Sequence, residues 1–141
     1  MKAYEIIEHT ADVGLRIHGS TGEELFCHAA LGLADLITDT SRLHSLPLDR
    51  KISFGLQGEN TEDLFLKWLR EILFVFSTRK LILLSFDFKI LTAHRLQVEA
   101  QGLVFDPEKH ESNYEVKAVT YHGFKMEKTK SGFEAEVIFD I

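Results

Sequence analysis

Residues 117–141 have the sequence KAVTYHGFKMEKTKSGFEAEVIFDI, and this stretch predicts the fold. Strand-forming residues extend from Lys117 to Glu127, and a second run extends from Phe133 to Ile141. The polar segment Lys128–Gly132 between them is typical of a hairpin turn. The two runs therefore predict an antiparallel hairpin.

This hairpin also predicts the position of an acidic residue, Asp140. A turn centred in the polar segment places Asp140 roughly opposite Thr120, with Lys117 a residue or two from that pair. Because side chains alternate along a strand, Asp140 shares a face with Ile138 and points away from Phe139. We therefore expect Asp140 at the end of the last strand, beside Lys117.

The rest of the chain contains further strands and two helices. Alternating residues predict strands at Tyr4–Ile7, Leu15–His18, Ile52–Leu56, Leu84–Ile90 and Leu96–Gln101. The first helix extends to about Ile37, and Ser20 is its predicted N-cap, with Glu23 completing a capping box. The second begins at Asn60 or Thr61 and extends to about residue 77.

Two helices segregated from a mostly antiparallel sheet predict an α+β fold. We expect one two-layer domain over residues 1–141, with both helices packed on the sheet. On the second helix, Leu66, Phe74 and Val75 widen the apolar surface beyond one stripe. We interpret this helix as packed on two sides, and the alternative is an exposed patch that binds a partner.

Composition narrows the possible functions. The net charge of −6 argues against direct binding of a phosphate backbone, because that affinity comes from clustered Lys and Arg. Cys27 is the only cysteine, which excludes an intrachain disulfide and a thiolate zinc site. The sequence has no signal-peptide pattern and no apolar stretch that could span a membrane, so we expect a cytoplasmic protein.

Two acidic residues, Asp12 and Asp140, are each bordered by strand-like sequence. An ordered last strand would bring the terminal carboxylate of Ile141 to the same place, giving an all-oxygen site suited to Ca²⁺ or Mg²⁺. Two simpler interpretations stay open. Asp12 could cap a turn through its own backbone, and Asp140 could be a solvent-facing charge at a strand end.

Lys117 and His9 are candidates to support this site. Lys117 would add an ammonium beside the carboxylates, although a strand lysine can simply discourage edge pairing. His9 could be a metal ligand, a general base or a residue that holds the loop, and we favour the last role because zinc sites need several His or Cys ligands. Phosphate-loop, nucleophile-elbow and zinc-protease motifs are absent. This pattern favours a metal-holding or partner-assisting protein over an enzyme.

Four motifs resemble those of the archease family. In chain order they are His9–Gly14, Leu25–Ala30, Lys117–His122 and Phe139–Ile141. The resemblance covers the whole chain. It implies a non-enzymatic activator of the GTP-dependent RNA ligase that joins a 2′,3′-cyclic phosphate or 3′-phosphate end to a 5′-hydroxyl in tRNA splicing and RNA repair. Such an activator promotes attachment of GMP to the ligase's active-site histidine and permits repeated turnover.

The resemblance also implies the site residues. The metal ligands would be Asp12, Asp140 and Ile141, with Ca²⁺ as the ion and Mg²⁺ or Mn²⁺ as alternatives in the cell. Asp12, Lys117 and Asp140 would be needed for ligase activation, with His9 in a supporting role. RNA would be reached only through the ligase, and no membrane association is expected.

Three other interpretations remain at this point. The first is a metal-dependent phosphoester hydrolase, with the same carboxylates as ligands and His9 as base. The second, an older proposal for the family, is a chaperone-like modulator of a tRNA methyltransferase. The third is a binding module that docks a partner on the apolar face of the second helix, because fold and motif resemblance can mislead about chemistry.

Overall fold

The computed structural model describes residues 2–141. Its elements are β1 (Tyr4–Glu8), β2 (Asp12–Gly19), α1 (Gly22–Ile37), β3 (Arg50–Gln57), α2 (Thr61–Arg79), β4 (Leu81–Leu91), β5 (Arg95–Val104), β6 (Ala118–Thr129) and β7 (Gly132–Asp140). A short 3-10 helix, Leu43–Ser45, lies between α1 and β3. The predicted helices and strands are present, with ends displaced by a few residues.

The strands form two antiparallel sheets. One has the order β1-β2-β7-β6 and the other the order β3-β5-β4. The predicted α+β class, with mostly antiparallel strands and two main helices, is confirmed. The alternation of apolar and polar residues identifies each strand but not its sheet, so the division into two sheets is information that the structure adds.

Both helices contact both sheets. Helix α1 packs on β1, β2 and β4, and α2 packs on β6 and on all three strands of the smaller sheet. This explains the wide apolar surface of α2, because Leu66 is only 1% exposed and Val75 only 5%. Phe74 differs and is 60% exposed. Within residues 2–141, neither helix is long and apolar enough to cross a lipid bilayer.

Trp68 lies at the centre of an aromatic core between the helices and the smaller sheet. Its ring is fully buried and packs against Phe26, Phe54, Phe86 and Phe88. The indole Nε1–H donates to the backbone carbonyl of Phe26 at 2.8 Å. The polar atom of this side chain is therefore paired, as burial of a Trp requires, and the bond joins α2 to α1.

The N-cap of helix α1 lies one residue later in the chain than predicted. Thr21, not Ser20, is the N-cap, and its hydroxyl accepts the Glu24 N–H at 3.1 Å. Glu24, not Glu23, is the acidic residue that reaches back, and its carboxylate accepts the backbone N–H of Ser20, the residue before the N-cap, at 3.2 Å. The predicted capping box was wrong by one residue. Two hydroxyl residues, Ser20 and Thr21, are followed three positions later by two acidic residues, so the sequence contains two possible boxes with the same spacing. Asn60 caps α2, whose first residue is Thr61, in agreement with the predicted start at Asn60 or Thr61.

Residues 111–117, which we call the strap, close the C-terminal end of α1. The backbone N–H groups of Asn113 and Tyr114 donate to the carbonyls of Ile37 and Leu36, each at 2.9 Å. Carbonyls in the last turn have no partner inside a helix, so the strap satisfies groups that would otherwise need water. The strap then leads directly into β6.

Candidate metal centre

Asp12 and Asp140 occupy directly opposite positions on neighbouring strands, β2 and β7. On its other side β7 pairs with β6, where Ala118 is opposite Asp140. Directly opposite residues in an antiparallel pair present their side chains on the same face of the sheet. The structure thus brings the two predicted acidic residues together, at one end of the four-stranded sheet. We call Asp12 and Asp140 the acidic pair.

The alternation of side chains determines which face carries the acidic pair. Val13 and Phe139 are the next residues on these strands, they pair with each other, and both are completely buried. Successive side chains point to opposite faces, so the acidic pair lies on the outer face, away from the helices. The predicted orientation of Asp140, away from Phe139, agrees with this arrangement.

The register of the closing hairpin differs from the prediction. Asp140 is opposite Ala118, not Thr120, because β6 contains a bulge between Thr120 and Lys125. Gly123 lies in this bulge with φ of 70°, a left-handed conformation that glycine adopts without a steric cost. The extra residues on β6 shift the partner of Asp140 toward the beginning of that strand. The prediction assumed regular pairing along the whole hairpin and therefore missed this shift.

As a result, Lys117 lies directly beside Asp140. The backbone N–H of Lys117 donates to the backbone carbonyl of Asp140 at 2.8 Å. The side chain of Lys117 is exposed, and in the described part of the chain no carboxylate lies within 4.0 Å of its ammonium. The structure therefore joins Lys117 to the site through the main chain, not through an ion pair.

Asp12 has an enclosed oxygen that lacks a donor. Its Oδ1 is shielded from solvent and accepts no hydrogen bond from residues 2–141. The Nδ1 of His9 lies 4.0 Å from this oxygen, which is too far for a hydrogen bond. The backbone N–H of His9 instead donates to the carbonyl of Asp12 at 3.2 Å and closes the β1–β2 loop. A buried acceptor without a partner is costly, so this oxygen is suited to a ligand.

Other carboxylates on the same outer face are paired with a cation, in contrast to the acidic pair. The guanidinium of Arg16 contacts three glutamates at distances of 2.8–3.5 Å: Glu5, Glu134 and Glu136. The hydrogen bond to Glu136, followed by the nearby negative charges, raises the pKa of Arg16. Among residues 2–141, no Lys or Arg lies within 4.0 Å of the acidic pair, and the nearest basic nitrogen recorded is His9 Nδ1, 4.0 Å from Asp12.

The donor set fits a hard cation better than zinc. Residues 2–141 contain no group of three His, Cys, Asp or Glu side chains that could hold a metal. A site at the acidic pair therefore needs main-chain oxygens as well, and Ile141, half-buried against the core, directly follows Asp140. Carboxylate and main-chain oxygens together are typical ligands of Ca²⁺. The residues present, and above all the enclosed Asp12 Oδ1, fit such an ion.

Two residues beside this site are not identified by sequence analysis, Glu8 and Tyr114. The hydroxyl of Tyr114 donates to the Glu8 carboxylate, and this hydrogen bond is the main reason that the pKa of Tyr114 is raised. Tyr114 lies in the strap, whose sequence has neither a helical nor a strand period. No sequence pattern therefore indicates that this segment reaches β1.

Comparison with known proteins identifies the family. The family model described as the Archease protein family matches residues 4–141. The chain belongs to the archease family. It is 37% identical over 145 residues to the archease of Pyrococcus abyssi and 38% identical over 142 residues to that of Saccharolobus solfataricus, and each alignment covers 100% of both chains. The resemblance inferred from the four motifs is confirmed.

Solved structures of archease-family proteins have the same fold. The solution structure of Methanobacterium thermoautotrophicum protein 1598 has a TM-score of 0.76 and 32% identity, with 100% of both chains covered. The crystal structure of a Thermotoga maritima archease, described as a possible chaperone, has a TM-score of 0.67 and 26% identity, with 96% of this chain and 94% of that one covered. These similarities support the α+β architecture independently of the sequence pattern.

Proposed function

We propose that this protein is a non-catalytic activator of a GTP-dependent RNA ligase, the enzyme that joins 2′,3′-cyclic phosphate or 3′-phosphate ends to 5′-hydroxyl ends. Membership of the archease family supports this class of function. The observation that carries the proposal is the acidic pair, whose two carboxylates are opposite each other while Asp12 Oδ1 has no donor among residues 2–141. Like charges in this position are unfavourable unless a cation lies between them.

In this proposal, Asp12, Asp140 and Ile141 hold a divalent cation. The first two supply carboxylate oxygens from adjacent strands, and Ile141 supplies main-chain oxygen. The buried pair Val13 and Phe139 fixes the spacing of the two strands beneath the carboxylates. When bound, a divalent cation supplies positive charge that offsets the negative charge of nucleotide phosphates. We expect Ca²⁺ to fit, with Mg²⁺ and Mn²⁺ as alternatives.

Lys117 acts on the partner in this proposal. Its side chain is exposed and makes no ion pair within residues 2–141. An ammonium on a flexible chain is suited to pairing with a phosphate group or with a carboxylate of the ligase. His9 supports the site by closing the loop that precedes Asp12. The net charge of −6 agrees with action through a protein partner and not through direct contact with RNA.

Guanylylation of the ligase tests this proposal. The ligase is incubated with GTP labelled at the α-phosphate, and covalent GMP on the ligase is measured with and without this protein. We expect the wild-type protein to accelerate labelling and Asp140→Asn to abolish the acceleration. Asp87→Asn is the matched control, because Asp87 is an exposed carboxylate on the other sheet that pairs with its neighbour Lys89. It should accelerate labelling as the wild type does.

Two results would contradict the proposal. If the wild-type protein fails to stimulate a cognate ligase that is itself active, the protein is not its activator. If Asp140→Asn stimulates fully, the acidic pair is not the centre of the activity.

A chaperone is the second candidate, because the Thermotoga maritima relative is described as a possible chaperone. A chaperone would raise the amount of folded client in proportion to its own amount. It would leave the initial rate of guanylylation per folded ligase unchanged. The same assay, normalised to folded ligase, therefore separates the two functions.

A further inference from the structure

The strap bonds to three parts of the molecule: the end of α1, the end of β1 and the end of β7. Its residues Asn113 and Tyr114 bond to the last carbonyls of α1, as described above. At its end, the backbone N–H of Lys117 bonds to Asp140 on β7 at 2.8 Å. Between these points, the Tyr114 hydroxyl bonds to Glu8 on β1. One short segment is therefore attached both to the strand that carries Asp140 and to the strand that leads to Asp12.

Glu8 can act on Asp12 only through the backbone, because Glu8 is opposite the inward-facing Val13 and its side chain therefore lies on the other face of the sheet from Asp12. It is the last residue of β1, and it pairs with Val13, the residue that follows Asp12. Between Glu8 and Asp12 lie only the three loop residues 9–11, and this loop is closed by one backbone hydrogen bond, from His9 to Asp12. A constraint on the Glu8 side chain therefore acts at the base of the loop.

Repulsion within the acidic pair makes such a constraint necessary. Opposed carboxylates disfavour the pairing of β2 and β7 at this end, and strand ends open more readily than strand centres. Glu8 is exposed and has no Lys or Arg partner within residues 2–141, so Tyr114 provides its hydrogen-bond donor.

We infer that Tyr114 is a positioning residue, which holds Glu8 and thereby keeps Asp12 opposite Asp140 in the geometry that binds a divalent cation. This inference rests on the metal site of the proposed function, but not on the ligase. It gives the strap a role that none of the family motifs includes, since residues 111–116 lie outside all four.

Calcium binding by the isolated protein tests the inference. The affinity for Ca²⁺ is measured by isothermal titration calorimetry with CaCl₂, and the affinity for Tb³⁺ is measured separately by sensitised luminescence. Tyr114→Phe should bind Ca²⁺ about tenfold more weakly, the effect expected on loss of a residue that orients a ligand. Tyr121→Phe is the matched control, because the Tyr121 hydroxyl also bonds to a side chain, Arg70, but on α2. Its affinity should equal that of the wild type.

A second pair of variants separates positioning from general destabilisation. Glu8→Ala should weaken Ca²⁺ binding as much as Tyr114→Phe does, whereas Glu8→Gln retains an acceptor for the hydroxyl and should bind nearly as well as the wild type. The double variant Glu8→Ala, Tyr114→Phe should bind Ca²⁺ no more weakly than either single variant, because the two substitutions remove the same hydrogen bond. A merely structural role would lower the melting temperature without this non-additive pattern in affinity.

The inference is overturned if Tyr114→Phe binds Ca²⁺ as tightly as the wild type, or if the effects of the two residues add. It is also overturned if the wild-type protein binds neither Ca²⁺ nor Tb³⁺. Because no ligase is present, failure of this test is distinct from failure of the guanylylation assay.

Discussion

Asp12 and Asp140 are opposite each other across β2 and β7, and the next pair along the same strands, Val13 and Phe139, is completely buried. The burial of the apolar pair fixes the register. A slip of one residue would turn Val13 or Phe139 toward solvent, so a change of register cannot separate the two acidic residues without exposing the core. The opposition of two acidic residues is thus a direct consequence of the register, and a bound cation would make it favourable.

Removing one charge from the acidic pair should therefore stabilise the protein in the absence of metal. In EDTA, Asp140→Asn should be more stable than the wild type by about 0.2–1 kcal/mol, the range for cross-strand charge pairs. With Ca²⁺ roughly a hundredfold above its Kd, the free energy of unfolding should rise by about 2.7 kcal/mol in the wild type and should not rise in the variant. Thermal unfolding in EDTA and in CaCl₂ measures both effects. Equal stabilisation of the two proteins by Ca²⁺ would argue against a site at this pair.

Substitution of Lys117 should affect the partner and not the fold. Lys117→Ala should change the free energy of unfolding by less than about 0.5 kcal/mol, because the side chain is exposed and unpaired within residues 2–141. Its stimulation of guanylylation should fall roughly tenfold, as on loss of one charge-assisted hydrogen bond. Lys128→Ala, an exposed lysine near the other end of β6, is the control. Equal stimulation by both variants would exclude the proposed contact.

Trp68 and Phe74 both lie on α2, but their substitutions should have very different effects on the free energy of unfolding. Trp68→Phe removes the hydrogen bond to the Phe26 carbonyl and leaves a gap in the aromatic core. It should therefore lower the free energy of unfolding, measured by urea denaturation, by roughly 2–4 kcal/mol. Phe74→Ser should change stability by less than about 0.5 kcal/mol, because Phe74 is exposed and both residues have similar helix propensity. If Phe74→Ser abolished ligase stimulation while Asp12→Ala did not, the binding-module interpretation would be favoured instead.

The stability of the protein should decrease at alkaline pH through Tyr4. Burial, then the charge of Asp35 and the hydrogen bond to it, raises the pKa of Tyr4 to about 12. An unfolded tyrosine titrates near pH 10, so the stabilisation from Tyr4 is complete below about pH 10 and is lost as the pH rises toward about 12. Tyr4→Phe should show a shallower loss of unfolding free energy over that interval. Identical pH profiles for the two proteins would show that Tyr4 does not contribute.

The sequence predicts most elements because their periods are clear, but three features depend on tertiary structure. The register of Asp140 was wrong by two residues because the bulge at Gly123 interrupts β6. The apolar surface of α2 is wider than one stripe because the helix contacts both sheets, and the sequence does not reveal that there are two. The contact between Tyr114 and Glu8 joins residues 106 positions apart without any periodic pattern. Asp12 and Asp140 were predictable as candidates because each borders strand-like sequence.

Multiple-turnover joining of RNA by the ligase tests the role of the acidic pair most directly. This protein is added in substoichiometric amount to the cognate ligase, GTP and RNA with 3′-phosphate and 5′-hydroxyl ends, and the number of joined products per ligase is counted. The wild type and Asp87→Asn should raise this number well above one, while Asp140→Asn should leave it unchanged from the ligase alone. Full stimulation by Asp140→Asn, with its fold verified by circular dichroism, would contradict the role of the acidic pair in ligase activation.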